Sequence, residues 1–168
     1  MPGFDGRHLT RGQDILGLGV FVALCAAVSG LGGAVTATSV TTWYQALDKP
    51  AFNPPDWLFP IVWTTLYVMI AIAGWRVWRR APIAATWPAL AVFAVQLALN
   101  LGWSFLFFGR QRIGLALAEI VVLFLAIAAT AVLFWRIDRW AGALLAPYLV
   151  WVAYAAVLNA ALWLLNAS

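Results

Sequence analysis

Apolar residues in this chain come in long unbroken runs, not in the stripes of a soluble helix or the alternation of a half-buried strand. Crossing a bilayer's hydrocarbon core takes about 20 apolar helical residues. Five segments meet that length and predict spans over 15–35, 57–79, 83–108, 113–135 and 140–165, with Glu119 the one charge in their apolar interiors. The pattern argues against a β-barrel, because barrel strands alternate apolar and polar positions over about 10 residues. Connections after the second, third and fourth spans are short, which requires antiparallel neighbours. The pattern predicts an all-α polytopic membrane protein: a five-transmembrane-helix bundle forming one domain over 15–168, preceded by a polar N-terminal tail over 1–14. The first run is too long for a signal-peptide core of about 7 to 15 residues and is read as a retained span.

The break between the first two spans differs from the others. It contains "WYQALDKPAFNPPDW", with the chain's one lysine, Lys49, and Pro50, Pro54 and Pro55. Prolines fix φ and restrict the residue before them, and the aromatic content is wrong for a flexible linker. The stretch is expected to fold onto the bundle as a lid, with Asp56 capping the second span. Pro147 is expected to bend the fifth span just before Trp151.

Composition then rules out whole classes of function. Of the 168 residues, 65% are hydrophobic and 10% charged, which places the chain in a membrane. The net charge of +4 marks loop ends and is no sign of a nucleic-acid partner. Arg7, Arg11, Arg76, Arg79, Arg80, Arg136 and Arg139 fall on one side, and Lys49, Arg110 and Arg112 on the other. The positive-inside rule therefore predicts a cytoplasmic N-terminus, an external C-terminus and an external lid. Cys25 is the one cysteine and His8 the one histidine, so no disulfide or metal-ligand spacing can be read. No phosphate loop or nucleophilic triad is visible.

Polar side chains within the spans converge. At about 1.5 Å per residue, Trp63, Gln96, Asn100, Glu119 and Asn159 all fall in the half beneath the lid, with Trp151 near mid-depth. Gln96, Asn100 and Trp103 share one helical face, and Trp151, Ala155 and Asn159 another. With Trp63 and Tyr67 they could line one cavity shaped for a large, flat, mostly apolar ligand. The competing reading is structural: amides bonding between helices and tryptophans filling the core or anchoring at the interface. An ionised Glu119 in a span costs about 2.5 kcal/mol or more, which leaves open protonation, an interhelical bond or proton-coupled transport. Ala94, Ala98 and Gly102 recur every four residues on the third span and suit helix packing, within the bundle or in a homodimer.

Four motifs carry a resemblance. "WYQALDKPAFNPPDW", "VWTTLY", "QLALNLGWSFLFF" and "PYLVWVAYAAVLNAALWLLN" resemble the translocator protein family, also called tryptophan-rich sensory proteins or peripheral-type benzodiazepine receptors, over about 43–166. The resemblance implies a five-helix bundle, often dimeric, whose first loop lids a pocket for porphyrins such as protoporphyrin IX or haem, for sterols, or for benzodiazepine-type compounds. It implies no obligatory cofactor. By motif position the pocket comprises Tyr44, Trp63, Gln96, Asn100, Trp151 and Ala155, to which the shared faces add Trp103 and Asn159; Trp43, Pro50, Pro54 and Pro55 belong to the lid. Trp63 and Trp151 are also the positions linked to light-dependent porphyrin breakdown in some members, so photo-oxidative degradation stands as an alternative to sensing, transport or disposal. The family's late sterol pattern is incomplete here, since no basic residue follows Tyr148 or Tyr154.

Overall fold

The computed structural model describes residues 9–167; Arg7 and His8 of the expected tail lie outside this range. Every regular element described is helical: α1 (Arg11–Ala37), α2 (Trp43–Ala46), α3 (Leu58–Arg80), α4 (Ile83–Ser104) continued by a π turn (Phe105–Gly109), α5 (Ile113–Ile137), α6 (Arg139–Leu144) and α7 (Ala146–Asn166). Five stretches are long and apolar enough to cross a membrane: α1, α3, α4 with its π turn, α5, and α6 with α7. The protein is an integral, multi-pass membrane protein of five transmembrane helices.

Local chemistry sets the boundaries. The first helix starts at Arg11, ahead of the apolar run, because Thr10 and Gln13 form a capping box: the Thr10 hydroxyl accepts from the Gln13 amide and Gln13 Oε1 accepts from the Thr10 amide. Two orphan donors are thereby satisfied one turn earlier than hydropathy indicates. α3 ends at Arg80, where Ala81 turns extended ahead of Pro82, as the residue before a proline must avoid helical geometry. Asp138 caps α6 by accepting from the Trp140 amide at 2.9 Å. The fifth span breaks at Leu145, and Pro147 lies in the first turn of α7. The expected bend is therefore a break between two helices, with the proline where its missing N–H is harmless. One expectation fails: α3 begins without a side-chain cap, and Asp56 instead accepts from Gln45 Nε2 at 2.8 Å.

α1 packs on α3 and α4, α4 on α5, α5 on α7, and α6 on α3 and α5. Toward the arginine-rich end the interior is solid: Phe93 stacks on Phe134 at 5.6 Å, and Ile70, Val77 and Ile127 are fully buried among them. Gly74 permits this packing. A Cβ there would lie 2.7 Å from the ring of Phe21 and 3.0 Å from Phe93. Ion pairs close this end, with Arg76 and Arg80 on Asp138 and Arg79 on Asp14. At the opposite end α2 and its flanking loops lie over the bundle, where Tyr44 packs against Phe107 and Phe108.

Candidate functional site

A cavity of about 500 Å³ opens in the half of the bundle nearest α2. Its walls come from α1, α3, α4 with the π turn, and α7, and Tyr44 and Asp56 come from the loop. That volume is within the range of small-molecule sites, and the wall is apolar with a few placed polar groups, as such sites require.

The floor is a hydrogen-bonded relay across three helices. Tyr67 Oη donates to Asn100 Oδ1 at 2.6 Å, and Asn100 Nδ2 donates to Tyr148 Oη at 2.8 Å. Buried polar atoms need such partners, and here one amide satisfies two phenols. Trp63 covers the relay, 5.7 Å from the Tyr67 ring and 6.3 Å from Tyr148. On the α7 side Trp151 lies edge-on to Phe59 at 5.9 Å. The wall formed by α4 ends in the π turn, where Trp103 stacks on Phe107 at 5.0 Å. Trp103 Nε1 donates to Asn159 Oδ1 at 3.1 Å, and Asn159 Nδ2 donates to the Ile113 carbonyl at 2.9 Å. The π turn carries Phe107 and Phe108, and both line the cavity.

The loop is held by a bond within itself and by bonds to distant residues. Tyr44 Oη donates to Asn53 Oδ1 at 2.7 Å, Tyr154 Oη to the Phe52 carbonyl at 2.6 Å, and Ser39 Oγ to the Phe108 carbonyl at 2.9 Å. Asn166 exchanges two bonds with the backbone of Asp48, each of 3.0 Å. Burial, with the negative charge of Asp56, pushes the Tyr44 phenol up to about 12 against the opposing hydrogen bond to Asn53. It therefore stays protonated and remains a donor.

Tyr44, Trp63, Asn100, Trp103, Trp151, Ala155 and Asn159 all line this one cavity. Gln96 does not. It lies one turn further along α4, fully buried, and its side-chain oxygen and nitrogen have no partner among the described residues. Trp43 packs on the wall residue Phe107 at 5.5 Å without lining the cavity itself, and Pro50, Pro54 and Pro55 shape the loop without reaching it. Glu119 is also off the wall: an oxygen lies 3.8 Å from where a Cβ on Gly102 would be, and neither oxygen has a partner among the described residues. Sequence reasoning missed the contribution of α1, whose Ser29, Gly32, Gly33 and Thr36 form part of the wall. The small-residue run "SGLGGAVT" was its signal. It also missed Phe59 and the π-turn phenylalanines, because an apolar residue in an apolar run does not announce which way it faces.

Fold and site together define a five-helix membrane protein with an intramembrane aromatic cavity beneath a folded loop. The model of the TspO/MBR family matches residues 21–164. The chain is 40% identical over 158 residues to the tryptophan-rich protein TspO of Chlorobaculum tepidum, covering 92% of this chain and 98% of that one. It is 42% identical over 139 residues to the tryptophan-rich sensory protein of Cereibacter sphaeroides, covering 83% and 84%. To the translocator protein of Sus scrofa it is 38% identical over 143 residues, covering 81% and 84%. The chain belongs to the TspO/MBR family.

Proposed function

We propose that the protein binds tetrapyrroles such as protoporphyrin IX in this cavity and serves in their sensing, transport or disposal. The observation that carries the reading is the wall: Trp63, Tyr67, Trp103, Phe107 and Trp151 surround one space whose floor amide, Asn100, is already bonded. Flat aromatic bodies gain about 0.5–1.5 kcal/mol per ring contact beyond the area they bury. Titration of the purified protein with protoporphyrin IX, followed by quenching of tryptophan emission, tests it. Saturable binding that weakens about tenfold in the Trp63→Phe, Trp151→Phe double variant is the expected result. Linear quenching that the variant reproduces would reduce the effect to partition into detergent and refute the assignment.

A second reading has one supporting observation. Trp63 and Trp151 flank the same cavity, so an excited porphyrin held there would have two indoles within reach as electron donors, and photo-oxidative breakdown with dioxygen as the oxidant is the reading this supports. It predicts light-dependent loss of the porphyrin spectrum that the double variant abolishes. Glu119 lies outside the cavity wall, which gives proton-coupled transport through it no comparable support. In a homodimer, the exposed Ala94 and Ala98 of α4 are the face we assign to the second copy, whereas Gly102 of the same stripe is half-buried and turns toward Glu119 of α5.

A further inference from the structure

Asp56 is the one charged side chain on the cavity wall, and no lysine or arginine joins it among the described residues. It is exposed at the cavity mouth, where Gln45 Nε2 holds its Oδ2 at 2.8 Å. Lys49 is close in sequence and keeps its charge, but it does not line the cavity. Its Nζ donates to the carbonyls of Gln45 at 3.0 Å and Leu47 at 3.2 Å, and lies 5.1 Å over the Tyr44 ring. Arg110 and Arg112 flank the turn into α5 and do not line the cavity. The wall therefore carries one negative charge above a set of aromatic faces. A cleft lined by one sign of charge and walled by low dielectric focuses its field on whatever enters. Aromatic faces add to the same preference, because their negative quadrupoles attract cations by about 0.5–2 kcal/mol.

We propose that the cavity selects flat apolar ligands carrying a positive charge, with the cationic group at the Asp56 edge and the body among the tryptophans. An anion of the same shape is disfavoured, and a dicarboxylate tetrapyrrole enters with its acid edge turned from Asp56. The inference rests on the cavity being a ligand pocket, though not on the tetrapyrrole being its ligand.

Three probes of similar size separate charge from shape: 9-aminoacridine, cationic at neutral pH; acridine, neutral; and anthracene-9-carboxylate, anionic. Each is titrated into the protein in phosphatidylcholine nanodiscs, with empty nanodiscs as the baseline, for the native chain and for Asp56→Asn. The cation should bind about fivefold tighter than acridine, and added salt should weaken only the cation. In Asp56→Asn that advantage should vanish, acridine should stay within about twofold of native, and the anion should gain. If the three probes bind alike, or Asp56→Asn shifts all three together, charge selection is refuted while the pocket stands. If acridine shows no saturable binding above empty nanodiscs, the pocket reading fails and the inference falls with it.

Discussion

The two ends of this bundle solve the same problem in opposite ways. At the arginine end the helices close on one another: Gly74 lets Phe21 and Phe93 in, Phe93 stacks on Phe134, and Asp138 holds Arg76 at 2.8 Å and Arg80 at 3.2 Å. At the α2 end the helices part, and the space between them is bridged by single hydrogen bonds between residues far apart in the chain, such as Tyr67 to Asn100 and Trp103 to Asn159. Close packing leaves no room for a ligand, whereas a frame of bonded amides and phenols keeps its shape around a void. The solid end supplies rigidity so that the open end can keep the shape of its cavity. The loop over the cavity repeats the strategy, held by a few hydrogen bonds to residues elsewhere in the chain.

The largest effect should come from breaking the solid end. Asp138→Ala removes the cap of α6, at about 1 kcal/mol, and the charge-assisted hydrogen bonds that the carboxylate accepts from two arginines, at about 1.5–3 kcal/mol. A fall in the thermal midpoint well beyond that of any cavity variant checks this; a fall matching that of Tyr67→Phe would erase the contrast between the ends. The same carboxylate gives the pH dependence. Burial pushes Asp138 up, but the bonds from Arg80 and the Trp140 amide and the charges of both arginines outweigh it and leave it below the usual range. A depressed carboxylate contributes stability above its unfolded value of about 3.9 that is lost as pH falls below it. Acid melting below about pH 4 should therefore be steeper in the native chain than in Asp138→Asn.

An intermediate effect is expected at the cavity floor. Asn100→Ala leaves Tyr67 and Tyr148 without their shared partner, at about 1–3 kcal/mol for buried groups stranded from hydrogen bonds. Ligand affinity should fall as well, since the floor loses its shape. A normal midpoint with normal affinity would mean the relay does not frame the cavity. The smallest effect belongs to the loop: Asn166→Ala removes both bonds to Asp48 and should cost about 1 kcal/mol or less in global stability. Faster amide exchange over 43–56, with the α3 and α5 interiors unchanged, is the expected signature.

Gln96 and Asn100 mark the limit of sequence reading from opposite sides. Asn100 was legible, because an amide in a membrane span needs a partner and its spacing from Trp103 put both on one face. Gln96 obeyed the same spacing and still missed the cavity. One turn along α4 separates the open half of the bundle from the solid half, and no periodicity marks that boundary.

Hydrophobic run lengths by themselves determined the five spans, since bilayer thickness leaves a helix few alternatives. The motifs by themselves determined the family. Which side chains share a wall was decided only by tertiary structure. The π turn at Phe105–Gly109, the approach of the α1 glycines and the arrest of Lys49 against Tyr44 all depend on neighbours from elsewhere in the chain. In an apolar solvent burial no longer distinguishes inside from outside along a helix, so the direction each residue faces is set by packing and hydrogen bonding between helices.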